Sequence, residues 1–308
     1  MSTATADSSL LKISLGAGLA GMFDAGLPVL AGQAEENVFG PAQPAGRSGA
    51  MALFEARGWL LGAATVPVHS ALEKVSQELY EDIFRATRGL HLARIWNYVP
   101  AINQPGPAGL ENYRIFCRGR SLAFERQYGA GFKVKLPSAS AVGTKSAALT
   151  IVFAAGPVAP RHVENPLQVP AYDYPGEYGP RAPSFARATV VREADLATAF
   201  ISGTAAIRGH ATVAPGNVRL QLDCALENLR EISHACGLGP NLGQGGGGTR
   251  HFKVYLRHAA DHPLVAAILQ ERLLTGADRV SYLHADICRT PLLVEIEASL
   301  FGAALRPA

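Results

Sequence analysis

Two stretches of this 308-residue chain carry the same succession of helix and strand patterns. In the first, Leu72 to Gly89 sets Val75, Leu79, Ile83 and Ala86 on one helical face, with Gly89 placed to close the helix. Arg94-Ile95-Trp96-Asn97-Tyr98-Val99 follows as a strand and Leu110 to Tyr128 as a second helix. Lys133 to Ala155 then gives two strands around a turn near Val142-Gly143-Thr144. In the second stretch, Val218 to Cys236 is a helix with Leu222, Leu226, Leu229 and Ile232 along one face and Gly237 behind it. Phe252 to Leu256 is the strand, and Pro263 to Leu274 is the second helix, opened by its proline. Val280 to Ile287 and Leu292 to Leu300 close the set as strands. Strands also precede each first helix: Trp59 to Val66, and Ala188 to Val191 with Ala199 to Gly203. Matching elements lie about 150 residues apart, which is a domain duplication and not a short repeat.

Each copy therefore reads as an α+β unit, a mixed sheet with two helices on one face. The expected division is a first half over residues 1–156, a connection over 157–187, and a second, catalytic half over 188–308. The connection is rich in Pro, Gly and Tyr. Connections of that length are usually functional or linkers.

Composition narrows the function classes. With 48% hydrophobic and 17% charged residues, the chain has material for a large core. A net charge of +3, dispersed along the chain, argues against nucleic acid and suits an anionic small molecule. Cys117, Cys224, Cys236 and Cys288 have no CxxC spacing, and the nine histidines form no HExxH motif, so no metal is expected. Gly239 to Gly248 lacks the Lys-Ser/Thr of a phosphate loop, and no dinucleotide fingerprint is present, so no cofactor is expected. Asp24 interrupts the apolar stretch near the N-terminus, and no signal peptide or membrane span is read there. The expectation is a cytoplasmic protein without a membrane partner.

The chemistry-bearing candidates are few. Glu295 and Glu297 fall on one face of the last strand, between strongly apolar flanks. A carboxylic acid among apolar groups keeps its proton, as a general acid must; a solvated edge strand would explain the pair more simply. Tyr113 and Arg120, seven apart, share a helix face, with Arg114 and Arg118 nearby. A planar guanidinium pairs with a carboxylate through two hydrogen bonds. Tyr178 and Arg187 lie where the connection enters the second half, and Gln221 lies near the start of its helix. Each is a contact candidate for a carboxylate or hydroxyl.

Several words of the sequence carry a resemblance. Phe200-Ile201-Ser202-Gly203, Gln221 ahead of Ala225-Leu226-Glu227-Asn228-Leu229, Val254-Tyr255-Leu256 and Val294 to Ala298 resemble the RidA (YjgF) family. Arg94 to Asn103, Glu111 to Arg120, Ser202-Gly203-Thr204-Ala205 and Cys288 to Glu297 make the whole chain similar to the chorismatases, a RidA-related family. The resemblance implies two tandem RidA-like halves of chorismate mutase-like topology, a site between them, and release of pyruvate from chorismate without a cofactor. It implies that Glu295 protonates the enolpyruvyl methylene and that Tyr113 and Arg120 contact substrate. A cysteine at the place of Cys288 accompanies 3-hydroxybenzoate formation in the family, which makes that the expected product. Ala205 departs from the glycine of those members. That keeps open 4-hydroxybenzoate, a mixture, or hydrolysis to a dihydroxycyclohexadiene carboxylate. An imine deaminase and a non-enzymatic aromatic-acid-binding module are the rival readings, and both monomer and trimer stay open.

Overall fold

The computed structural model describes residues 9–15, 21–37, 39–69 and 71–305. The first part runs β1 (Leu10–Ser14), β2 (Met22–Gly32), β3 (Glu35–Glu36), β4 (Gln43–Ser48), β5 (Met51–Ala56), β6 (Trp59–Pro67), α1 (Leu72–Ala86), β7 (His91–Pro100), α2 (Asn112–Tyr128), β8 (Ser138–Thr144) and β9 (Ala148–Gly156). The second runs β10 (Arg161–Val163), β11 (Ala188–Glu193), β12 (Leu196–Ala205), β13 (Ile207–Arg208), β14 (Ala211–Thr212), α3 (Val218–Ala235), β15 (Thr249–Leu256), α4 (His262–Arg272), β16 (Arg279–His284) and β17 (Val294–Ala304).

The duplication is visible strand for strand. The first sheet has the order β4-β5-β6-β9-β7-β8, and the second contains β10-β11-β12-β17-β15-β16. The last pair of each set, β7 with β8 and β15 with β16, is parallel, and each is bridged by a helix as a parallel crossover requires. The second sheet is longer because β2 pairs with β16 and carries β1 and β3 beyond it.

Side-chain alternation sorts the layers. On one face of the first sheet, Ile95, Leu149, Ile151 and Phe153 pack with Leu79, Ile83, Phe116 and Phe124 of α1 and α2. On one face of the second, Val254, Val294, Ile296 and Ala298 pack with Leu222, Leu229, Val265 and Leu269 of α3 and α4. The opposite faces meet each other through Phe54, Trp59, Trp96, Val152, Phe200 and Tyr255. Helices thus lie outside and the two sheets face one another inside.

Edge strand β8 is stitched to the second half. Ser138 N donates to Thr189 Oγ1 (2.8 Å), Ala139 N to Ser202 Oγ (2.9 Å) and Gly143 N to Asp286 O (2.7 Å). These bonds fix β8 beside β12 and the loop that leads into β17. Among the described residues, no helix is long and apolar enough to cross a membrane.

Candidate active site

Where β8 approaches β12 and β17, a cavity of about 720 Å³ opens, its mouth included. That size suits a small organic ligand. Glu295 and Gly203 lie at its wall, with Ala139 to Ala141 of β8 across from them. α2 contributes Tyr113 and Arg120, and the connection contributes Tyr174, Tyr178, Phe185 and Arg187. Cys288 and Arg289 enter from the loop before β17. Tyr113, Arg120, Tyr178, Arg187, Ala205, Cys288 and Glu295, seven of the residues singled out in the sequence, therefore converge on one space.

The two glutamates of β17 have opposite surroundings. Val294, Ile296 and Ala298 face the helices, so Glu295 and Glu297 point between the sheets, where both are buried. Glu297 accepts from Arg94 Nη2 (2.7 Å) and Trp96 Nε1 (2.9 Å) and is ion-paired with Lys253 Nζ (2.9 Å). Burial works against its charge, but Lys253 and Arg94 outweigh it and hold the carboxyl down at about 2. Glu295 lies beyond this cluster of bonds. Burial, then the charge of Glu297, pushes it up to about 8, so it carries a proton at neutral pH.

Gly203 makes room for that carboxyl. Between the pairs Ile201–Ala298 and Thr204–Ile296, β12 has one residue more than β17, a β-bulge. A Cβ on Gly203 would stand 2.0 Å from Glu295 Oε1, so only glycine lets the acid lie against the bulged backbone.

Arg114 at the cavity is paired with Glu111, but two deeper arginines are not paired with an acid among the described residues. Arg120 and Arg187 are 1% and 6% exposed, and the Nε of each is buried without a partner. Arg187 Nη2 donates to Tyr174 Oη (2.7 Å), and Arg120 Nη2 donates to Cys117 Sγ (3.5 Å), with the Tyr80 hydroxyl also beside the Arg120 guanidinium. Among the described residues, neither is ion-paired to a carboxylate of the chain, whereas the equally buried Arg250 is paired with Asp278. A buried charge without a counter-ion is costly, and an anionic ligand would supply one. Arg289 stacks over Tyr178, 4.0 Å from the ring centroid, and donates from Nη1 to His210 O (2.7 Å).

Cys288 is half-buried, and burial, followed by the charge of Glu295, pushes its thiol up to about 12. It stays a thiol and can donate or pass a proton. Ala205 sits directly across from Glu295 in the β12–β17 ladder. Gln221 does not line the cavity. Its side chain donates to Ala214 O (3.2 Å) and Pro291 O (2.8 Å) and accepts from Leu293 N (2.8 Å). Both ends of the amide are engaged in tying α3 to the loop before β17, and the side chain is wholly buried outside the cavity. Arg118 is likewise outside, paired with Glu73 of α1. Sequence reasoning passed over Arg289, Tyr174 and Phe185. Arg289 neighbours Cys288, and that adjacency was the available signal.

A proton-bearing carboxyl and two guanidiniums without ion pairs in one cavity are the groups that acid chemistry on a small anionic molecule calls for. Comparison with known proteins gives the family. The family model described as chorismatase FkbO/Hyg5-like, N-terminal, matches residues 39–155. A 3-hydroxybenzoate synthase of Streptomyces hygroscopicus is 43% identical over 215 residues, 66% of this chain and 62% of its own length. A chorismatase of Streptomyces rapamycinicus is 40% identical over 249 residues, 78% of this chain and 73% of its own. The crystal structure of a chorismatase matches 97% of this chain and 95% of its own at a TM-score of 0.77 and 29% identity. The chain belongs to the chorismatase family.

Proposed function

We propose that this protein cleaves chorismate, releasing pyruvate and forming 3-hydroxybenzoate, with Glu295 as the acid. One observation carries the reading. Of two carboxyls on one strand face, the one with no ion pair among the described residues lies in the cavity and holds its proton to about 8. A vinyl ether is broken by protonation at its terminal carbon, which yields an oxocarbenium ion. Glu295 donates that proton, and the carboxylate left behind stabilises the cation it has made. Arg120 and Arg187 supply the two positive charges that a substrate with two carboxylates requires. Tyr113 and Tyr178 flank them in the same cavity.

Capture of the intermediate decides the product. Internal attack by the ring hydroxyl expels pyruvate and leaves an epoxide-like species that aromatises. The two products together then hold every atom of chorismate, and no water is consumed. Cys288, a protonated thiol beside Glu295, is placed to move the proton this route needs.

The deciding measurement is pyruvate release from chorismate. Glu295→Gln is expected to lower it by about 10²-fold or more, within the range for loss of a general acid, with the melting temperature retained. Turnover near the parent rate would remove Glu295 from the mechanism. For the product, chromatography of Cys288→Ala reactions is expected to show a smaller share of 3-hydroxybenzoate, and an unchanged profile would remove Cys288 from its role.

A further inference from the structure

Behind Glu295 lies a buried cluster of charges that never touches the cavity's ligand space directly. Lys253 Nζ is 2.6 Å from Glu36 Oε2 and 2.9 Å from Glu297 Oε1, and it donates to Tyr98 Oη at 3.2 Å. Arg94 Nη2 is 2.7 Å from Glu297 Oε2 and 2.9 Å from Ser140 Oγ, and Ser140 itself lines the cavity. All four charged side chains are nine-tenths buried or more. Two cations face two carboxylates, so the cluster is neutral as it stands and has no cation left for a third acid.

We propose that Glu297 is a positioning residue for the reaction: by pairing with Arg94 and Lys253 it offsets their pull on Glu295 and so keeps the catalytic proton in place. The inference rests on the reading of Glu295 as the acid. Glu295 and Glu297 stand two residues apart on one face of β17, and Arg94, bound to Glu297, draws on Glu295 less than the charge of Glu297 opposes it. The remaining groups around Glu295 come from other elements. Tyr113 and Arg120 come from α2, Arg187 from the connection, and Cys288 and Arg289 from the loop before β17. Tyr255 is its neighbour on β15. Of these, the arginines face the space that an anionic substrate occupies, and the tyrosines and thiol are neutral.

Removing one charge from the cluster must therefore move the proton on Glu295. In Glu297→Gln, Arg94 and Lys253 face Glu36 alone, and the surplus positive charge draws the proton from Glu295. In Lys253→Met, two carboxylates face Arg94, and the surplus negative charge holds the proton more tightly.

The test is the pH dependence of kcat for pyruvate release by the full chain. The basic limb, where the acid is lost, is expected to move down by about one pH unit or more in Glu297→Gln, the range a neighbouring charge produces. In Lys253→Met it is expected to move up. A role in stability alone would shift melting temperatures and leave both limbs in place. Unmoved limbs, or limbs that move the same way, overturn the inference. Should Glu297→Gln not fold, Glu36→Gln removes the same charge from the rim and must shift the limb downward. An active Glu295→Gln would sink the underlying acid role. An inactive one, with limbs unmoved in the other variants, would sink only the part assigned to Glu297.

Discussion

The two halves repeat one topology, yet at matching places on their last strands one carries a buried carboxyl and the other a hydroxyl. Aligned on Tyr98 and Tyr255, which occupy matching strands, Glu295 corresponds to Thr150, and its cross-strand neighbour Ala205 corresponds to Thr65. In the first half the two threonine hydroxyls bond each other at 2.9 Å and satisfy one another. The β6–β9 ladder there runs without a break from Leu60 to Pro67. In the second half the ladder bulges at the matching place, and a carboxyl lies where a hydroxyl did. The contrast teaches that a buried carboxyl at this place goes with a backbone that steps aside to seat it, whereas a hydroxyl pair fits an unbroken ladder.

The largest expected break in that comparison comes from one substitution made in each half. Gly203→Ala places a Cβ against Glu295 Oε1 and displaces the acid. Displacement of about 1 Å costs on the order of 10²-fold in rate, and pyruvate release should fall by about that much. Gly62→Ala on β6 instead drives a Cβ to 2.3 Å from the Phe153 ring. It should cost about 1–3 kcal/mol of stability, as overpacking does, and spare turnover in the protein that folds. Paired melting curves and pyruvate assays check both. A Gly62 variant that loses more turnover than the Gly203 variant would erase the distinction.

A second expectation concerns stability against pH. Glu295 is raised in the folded state, so between the ordinary carboxylate value near about 4 and its folded value of about 8 the native protein holds a proton that the unfolded chain has released. Stability must fall as pH rises through that window, by an amount on the order of a few kcal/mol. Glu297 is depressed, so its contribution is present above about pH 4 and is lost as pH falls toward about 2. Denaturation of Glu295→Gln across pH should show the first slope flattened and the second intact. An equal slope in both proteins would show that Glu295 titrates normally. The smallest effect belongs to Thr150→Val. It removes the bond to the Thr65 hydroxyl, which is exposed and turns to water, so the expected cost is at most about 1 kcal/mol and turnover should stay within about twofold of the parent.

Much of this was legible in the sequence. Helical periodicity located α1, α2 and α3 closely, and period-2 alternation put Glu295 and Glu297 on one face of β17. Tyr113 and Arg120 were read onto a shared helix face, and the structure brings both to the cavity. The N-terminal strands were not read. β4 is almost wholly exposed, and β2 carries Asp24, which is paired with Lys12 on β1, so neither shows clean alternation. Gln221 looked like a helix residue open to ligand because nothing local reveals that Pro291 and Leu293, some seventy positions away, claim its amide. Arg289 had its adjacency to Cys288 as a local signal, but its aromatic partners had none. Tyr174 and Tyr178, on which it stacks, lie more than a hundred positions earlier.

The connection that joins the halves has a genetic meaning beyond its place in the cavity wall. Identical subunits of an oligomer are written once, so any change to one site appears in every site. Two copies in a single reading frame are written separately. One can gain an acid and a bulge while the other keeps its threonines, and a segment between them, Pro157 to Pro183, can be recruited as wall without any counterpart. Within one chain, an asymmetry between the copies is heritable.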